Sequence, residues 1–525
     1  MDATAIEDYA LIGDTRTAAL VSREGSIDWM CAPRFDSEPV FGSLVGGAAA
    51  GRFAVTPRDL VSTRRRYRDR TATLETRWET AGGAAELVDA MVLDVSSRLL
   101  PQALLVRELR GLSGSVEVDV FFDPRPGFGA HDVGIRSRGG GTLVSWGASA
   151  IWLGSAEGPL PVGSSVRVRL DAGKRFVFAL AMVDRAPIVY VGAQTALEEV
   201  AASERWWKAW SSRIDYEGPH RDAVERSAVT LRLLTYAPSG APVAAPTTSL
   251  PELIGGSRNW DYRFAWPRDA SLGTSAFLGL GLAEEAEAFL HWLVIASRLS
   301  RPRVDVLYDV LGRPVHGEDE RDDLPGYRDS RPVRLRNAAC DQHQLDVYGW
   351  VVESAWQLHR RGRRLEPNAW RAVQHWADFA AKGWASADAG IWERRDDPAH
   401  HVHSKAMAWQ AIDRAVRLAE EYDVPLRRRA TWMAEAARLR ERLLSDGLDE
   451  QRGVFVDRFG GDAFDAALLM LPSIGFDDAD SPRLAATVDA IRTELDAGGG
   501  LLYRYPPGTD GLEGGEGAFV ACTLW

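Results

Sequence analysis

From Ile6 to about Val191, apolar and polar positions alternate in short runs separated by Gly, Pro and Asp, as in Val116–Phe121, Thr142–Trp146, Val166–Leu170 and Phe176–Leu180. Successive side chains on a strand point to opposite faces, so a period of two predicts half-buried antiparallel strands, and the regular turns between them predict a β-sandwich. The stretch DYALIGDTRTAALVSREGSIDWMCAPRFDS reads as strand, Arg-Glu-Gly turn and strand, an opening hairpin that ends in an acidic, aromatic loop. Asp28, Trp29, Arg34, Phe35 and Asp36 would either approach a neighbouring site from that loop or pack it for structure alone.

The period changes at Thr195. TALEEVAASERWWKAWSSRI is helical by spacing and charge, and Trp206, Trp207 and Trp210 would let it act as a linker clamped between two domains. From His220 onward apolar residues recur at three and four, as in Leu345, Tyr348, Val352, Ala355 and Leu358. Ten helices are expected: Arg221–Tyr236, Asp269–Leu280, Ala283–Leu299, Gln342–Arg361, Pro367–Trp384, His403–Tyr422, Leu426–Leu444, Phe464–Leu471, Pro482–Leu495 and one opening near Gly517. Short loops alternate with long ones rich in Gly, Trp, Asp and Arg, which suits helices paired into hairpins with the long loops gathered on one face. The predicted architecture is therefore a β-sandwich over 1–194, a linker over 195–219 and an (α/α)6 barrel over 220–525. Such a barrel needs twelve helices, and with the sequence ending at Trp525 inside the tenth, an incomplete ring is expected.

Charge and composition narrow the function. A net charge of -12, with no strongly basic block, argues against nucleic acid and against an anionic membrane surface. Cys31, Cys340 and Cys522 form an odd, widely spaced set, which predicts free thiols rather than a disulfide framework or a zinc site. The N-terminus carries acids where a signal peptide needs basic residues, and no apolar run approaches a membrane span, so a soluble cytoplasmic protein is expected. Nineteen tryptophans are many for this length, and several stand in polar surroundings, which points toward carbohydrate.

The densest chemistry lies in GGSRNWDYRFAWPRDAS, Gly255–Ser271, with three arginines, two aspartates, two tryptophans, a tyrosine and a phenylalanine. Aromatic faces stack on the apolar faces of sugar rings, while Asp and Arg exchange paired hydrogen bonds with vicinal hydroxyls. A pocket for an uncharged polyol wants this mixture. A buried Arg/Asp network with aromatic packing is the alternative, although each buried charge must then be fully paired. Two further loops carry similar groups. One is Gly390–Arg395, with Trp392 and Glu393, followed by His400, His401 and His403 and then Ser404–Trp409. Its histidine spacing matches no metal motif, and neither a metal nor another cofactor is called for. The other is Asp510–Phe519, where glycines flank Glu516 just before a helix. For Glu393 a loop salt bridge, and for Glu516 a turn or cap, are the plainer alternatives. Together the two supply the pair of carboxyl groups that glycoside hydrolysis needs.

RNWDYRFAWPRD, the GIWE loop with its HSKAMAW sequel, and GGEGAF resemble the signatures of glycoside hydrolase family 15, the inverting glucoamylases, glucodextranases and prokaryotic trehalases. DYALIGD, GSIDWMCAPRFDS and LPGYRDSRPVR extend the resemblance over essentially the whole chain. It implies Glu393 as general acid and Glu516 as general base. It also implies Trp266, Arg268 and Asp269 as the grip on the terminal glucosyl unit, with Trp260, Asp261, Arg263, Trp392, Lys405 and Trp409 around the substrate. Pro267 inside that grip, and Trp350 after LDVYG where many relatives carry Glu, depart from the pattern and bear on substrate preference.

The function expected is inverting, exo-acting hydrolysis of a terminal α-glucosidic bond, with trehalose favoured over polymeric starch because no export signal is legible. A glucoamylase or glucodextranase acting on α-1,4 or α-1,6 oligosaccharides is the alternative. A sugar phosphorylase or a non-catalytic carbohydrate-binding protein fits less well, since both glutamates are present. The expected partner is a small carbohydrate, and self-association into a homo-oligomer stays open.

Overall fold

The strand Ala103–Asp123 organises the N-terminal half. The computed structural model describes residues 4–93, 103–512 and 515–525. The first part of the long strand pairs with Gly83–Met91 and Arg175–Asp184, the second with Arg52–Pro57 and Ser165–Asp171, all antiparallel. The period-two runs predict the facing sheets of a sandwich; the long strand instead carries hydrogen bonding into both halves, so the fourteen strands form one continuous sheet. Its halves enclose one core, where Leu105, Val118 and Phe122 of the long strand meet Ile12, Leu87, Leu153 and Leu180. Phe53 packs edge-on against both Phe122 and Phe178, at 5.5 and 6.1 Å between ring centroids.

An ion pair is fully buried inside this half. Arg107 and Asp89 are both 0% exposed, joined by a 2.7 Å hydrogen bond from Arg107 Nε. Arg107 also donates to the carbonyls of Phe53 and Gly25, each at 2.7 Å. Burying charges is costly unless their polar atoms are satisfied, and this guanidinium is satisfied on three sides.

Helix α1, Ala193–Ser211, joins the halves. Its Ala196 and Val200 pack on the sheet beside Val106 and Ala179, and its Trp207 and Trp210 enter the core of the helical half. The Trp210 indole donates to Glu285 Oε1 at 2.6 Å. The opening hairpin pairs as expected, with Ala19 opposite Met30. Its end reaches the helical half through Trp29 Nε1, which donates to the Pro246 carbonyl at 2.7 Å, and through Asp36, which accepts from Val310 N at 3.2 Å.

Eight long helices follow: α2 (Arg221–Leu233), α3 (Pro267–Gly279), α4 (Ala283–Ala296), α5 (Asp346–Arg360), α6 (Pro367–Gly383), α7 (Val402–Leu418), α8 (Leu426–Asp446) and α9 (Pro482–Glu494). A short α10, Val520–Leu524, ends the chain. Helix α3 packs on α5 and α5 on α7, while α4, α6 and α8 lie against that row. Burial separates the two layers: fourteen of the seventeen α7 residues are buried, against three of twenty-one in α8. Close approach of α5 and α7 depends on Gly349, where an added Cβ would lie 2.5 Å from the Met407 carbonyl oxygen.

Two sequence expectations change. The helix expected over 464–471 is a 3-10 turn, Ala466–Met470, capped by Asp465 and followed by a four-residue helix with Pro472 in its first turn. Asp465 accepts from Ala467 N at 2.8 Å, a local bond that sets a turn here. The helical half is also interrupted by short ladders, Thr248–Pro251 with Asn259–Asp261 and Glu318–Arg321 with Val333–Arg336. These hold the loops that form the site. No described helix is long and apolar enough to cross a membrane.

Candidate active site

Pro267 is the first residue of α3, where its fixed φ suits the helix and its missing N–H costs nothing. Trp266 therefore caps the helix from outside, and Arg268 and Asp269 stand in its first turn. All three line a cavity of about 460 Å³, together with Tyr262, Trp392 and Glu393. Glu393 comes from the loop between α6 and α7 and has a φ of 56°, a left-handed conformation that glutamate rarely adopts. The Gln342 side-chain amide bonds its carbonyl at 3.2 Å and that of Arg394 at 3.0 Å, which holds the loop in this shape.

The Glu393 carboxylate is held by one oxygen. Trp266 Nε1 and Arg268 Nη2 both donate to Oε1 at 2.7 Å. Arg268 donates in turn to Gln344 Oε1 at 2.8 Å and lies 3.7 Å from Asp346. Burial works against the Arg268 charge, but the carboxylates of Asp269, Glu393 and Asp346 outweigh it and raise its pKa. Behind it Asp346 is 0% exposed, neither of its oxygens has a hydrogen-bond donor among the described residues, and burial pushes its pKa up to about 6. His403 is buried beside them, its pKa pushed down to about 3 by burial and then by the Arg268 charge. The histidine cluster is thus packing for the wall: His401 lies against Gly390 and His400 stacks on Phe459. Among the described residues no group of His, Cys, Asp and Glu is arranged to hold a metal.

The cavity is also lined by Arg504, whose guanidinium lies over the rings of Trp392 and Phe519 at 5.7 and 5.8 Å. It donates to Glu516 Oε2, and to Glu252 Oε2 at 2.9 Å. Glu516 follows the two residues, 513 and 514, that lie outside the described chain, including one of its flanking glycines. Its side chain is 2% exposed, and its Oε1 is buried with no donor among the described residues. Trp392 completes this wall, its indole donating to Asp465 at 2.8 Å and its ring stacked on Trp525 at 5.7 Å.

The remaining candidates divide by position. Asp261 and Arg263 do not line the cavity; Asp261 is 0% exposed, with Arg263 Nη2 at 2.7 Å, and Arg263 also donates to the Ser37 carbonyl and Cys31 Sγ. They fasten the site loop to the opening hairpin, the buried network that composition alone leaves as the alternative. Lys405 and Trp409 also stay out of the cavity because they belong to the buried row of α7. Lys405 Nζ donates to the Ser386 carbonyl and, at 3.4 Å, to Asp388, and Trp409 packs edge-on against Phe476 at 5.4 Å. Trp260 stands below the cavity in a polar crevice, between the guanidinium groups of Arg334 and Arg395 at 4.5 and 4.6 Å.

Three polar lining residues are missing from the set the sequence singles out. Tyr262 packs against Trp266 at 5.6 Å, and desolvation, then the charges of Glu393 and Glu252, raise its pKa, so its phenol keeps its proton. Arg504 and Glu252 are the others. Arg504 sits in LLYRYPPG, where the mix of arginine and aromatics is the signal used for the richer stretch; Glu252, in an apolar SLPELIGG, offers no comparable signal.

The pattern of trehalase-like N-terminal domains matches residues 1–189. Similar proteins include a trehalase of Mycolicibacterium smegmatis, 35% identical over 99% of this chain and 82% of its own, and a trehalase of Mycobacterium tuberculosis, 35% identical over 99% and 80%. A trehalase of Thermoplasma volcanium is 31% identical over 99% of this chain and 83% of its own. In fold the chain resembles a bacterial glucoamylase solved with acarbose, with a TM-score of 0.70 and 13% identity over 98% of this chain and 84% of that one. The pattern of glycosyl hydrolases family 15 matches residues 218–525, more than half of the sequence, and the chain belongs to that family.

Proposed function

We propose that this protein is an inverting hydrolase that cleaves trehalose to two glucose molecules, with Glu393 as general acid and Glu516 as general base. The observation that carries the assignment is the Glu393 carboxyl group, held at one oxygen by Trp266 and Arg268 in the wall of a cavity rich in aromatic and charged groups. The trehalase relatives, alike over nearly the whole chain, support trehalose as substrate. We further take the inner row of α3, α5 and α7 and the outer row of α4, α6 and α8 to be part of an (α/α)6 barrel. The sheet half would be a domain over 1–194, with 195–219 as linker and 220–525 as the catalytic unit.

In this reading Trp266, Arg268 and Asp269 hold the glucosyl unit to be cleaved, and Trp392 forms an aromatic wall beside it. Oε1 of Glu393 is occupied, which leaves Oε2 to carry the proton to the glycosidic oxygen. Water attacks the anomeric carbon from the opposite face, and Glu516 takes the proton that the water loses. Oε1 of Glu516 has no donor among the described residues and keeps a lone pair for that step, which requires water to reach it past the cavity wall of Arg504 and Gly517. Aromatic and buried surroundings strengthen these interactions in the transition state, where positive charge spreads over the ring.

Proton NMR during hydrolysis tests this directly. Inversion at one anomeric carbon of α,α-trehalose gives one β- and one α-glucose at early times. Two α-glucose molecules would show retention and sink the two roles. Maltose and isomaltose assayed alongside distinguish a trehalase from a glucoamylase or glucodextranase.

A further inference from the structure

Around the proposed base, three carboxylates, its own included, share two guanidinium groups. Asp510 takes Arg258 through both oxygens, and Glu516 takes Arg504 and lies 3.8 Å from Arg258. These two carboxylate side chains are 1% and 2% exposed. The two arginines are neutralised by them, so Glu252 is in excess. It is also the member that reaches the cavity, its side chain 22% exposed. A carboxylate in a partly dehydrated wall is unfavourable unless donors reach it.

Its protein-side donors are fixed. Trp260 Nε1 donates to Oε1 at 3.3 Å and Arg504 Nη2 to Oε2 at 2.9 Å. Trp260 is itself packed between the guanidinium groups of Arg334 and Arg395, at 4.5 and 4.6 Å. Each oxygen is therefore anchored by one donor and retains a lone pair, the arrangement in which a carboxylate accepts from hydroxyls without losing its orientation. Glu252 and Glu393 line the same cavity. Burial, reinforced by the Glu516 charge and opposed by Arg504 and Arg258, raises the Glu252 pKa, as expected where donors on the open side are still wanting.

We infer that Glu252 is a substrate-contacting residue, whose anchored carboxylate accepts hydrogen bonds from sugar hydroxyls in the cavity that Glu393 serves. The inference rests on the proposed trehalase reading and adds a specificity determinant to it. A purely structural Glu252 would brace Arg504 and nothing more.

The two roles separate in a coupling experiment on the full chain. Binding of glucose and of its 2-, 3-, 4- and 6-deoxy analogues is measured by calorimetry for wild type, Glu252→Gln and Glu252→Asp, with thermal melts to verify folding. In wild type, loss of the hydroxyl that meets Glu252 weakens binding about tenfold or more, the effect of a charge-assisted hydrogen bond. Glu252→Gln weakens glucose to a similar extent and becomes nearly indifferent to the same deletion, while KM for trehalose rises more than kcat falls. Glu252→Asp, which keeps the charge but withdraws it, lies between, and it carries the comparison if the Gln variant does not fold. Deletions that cost the same factor in every protein would overturn the inference and leave Glu252 as a brace. Wild type that hydrolyses trehalose without this coupling sinks the Glu252 role alone. Wild type that shows the coupling without hydrolysis sinks the trehalase reading alone, and absence of both glucose binding and hydrolysis sinks the two together.

Discussion

Trp266 and Glu393, 127 residues apart in sequence, are joined by a 2.7 Å hydrogen bond from the indole Nε1 to Oε1. A second donor, Arg268, reaches the same oxygen at the same distance, so the carboxyl group is oriented by two groups from one helix start. Trp266→Phe keeps the ring against Tyr262 and deletes only the indole donor. The expected loss is about tenfold in kcat, the worth of one hydrogen bond to a charged group, with KM and melting temperature little changed. An unaltered kcat would mean that Arg268 alone orients the acid.

The two glutamates should fail differently. A general acid matters least when the leaving group needs no proton, so Glu393→Gln should lose about 10²–10⁴-fold on trehalose and far less on an α-glucosyl fluoride. Glu516→Gln should lose comparably on both, because activation of water is required in each case. Azide added to Glu516→Ala should restore part of the turnover on the fluoride by replacing the activated water. Equal losses for Glu393→Gln on the two substrates would remove it as the acid.

Arg263 separates a binding role from a fastening one. Its guanidinium donates to Asp261, to the Ser37 carbonyl and to Cys31, all away from the cavity. Arg263→Met leaves the Asp261 carboxylate buried and unpaired, which should cost about 3–5 kcal/mol of stability. Denaturant titration should show that loss while KM for trehalose, at a temperature where the variant is folded, stays near wild type. A KM raised tenfold in a protein of unchanged stability would place Arg263 against the substrate instead.

The change of period from two to three and four marks the sheet half and the helical half, because it follows from which face each side chain presents. The chemistry of Gly255–Ser271 is equally plain, yet Asp261 with Arg263 and Arg268 with Asp269 are the same residue types within eight positions. Only the turn at Trp266, set by Pro267 as the first helical residue, sends the second pair into the cavity and leaves the first behind it. Lys405 and Trp409 are placed at the pocket by the family resemblance alone, whereas their helix is a buried one. The 466–470 segment reads as helix by its apolar run, and a single side-chain cap from Asp465 makes it a 3-10 turn. Glu252 was illegible, since its role depends on Arg504, which is 252 residues away.

Gly349 sets the spacing of the inner row. An added methyl group would lie 2.5 Å from the Met407 carbonyl, where backbone cannot yield as a side chain can. Gly349→Ala should therefore destabilise by about 1–3 kcal/mol, although alanine is the better helix former by about 1 kcal/mol. A melting temperature at or above that of wild type would show that α5 and α7 slide apart without cost.

Asp346 gives the fold a pH dependence that one substitution removes. Its pKa is raised by burial from an ordinary 3.8 to about 6, with the charges of Asp388 and Glu393 adding and Arg268 opposing. A carboxyl group with a higher pKa when folded binds its proton more tightly in the native state. Its contribution is therefore largest below pH 3.8 and is lost as pH rises through about 6. Two pKa units correspond to about 3 kcal/mol. Asp346→Asn has a similar shape and nothing to titrate. Whatever fixed cost the amide brings, stability relative to wild type should improve by up to that amount between pH 4 and pH 7, then level off. Chemical denaturation of both proteins across this range measures the difference, and other titrating groups largely cancel. A difference that stays flat would show that Asp346 ionises with an ordinary pKa, paired with Arg268 more closely than their 3.7 Å separation implies.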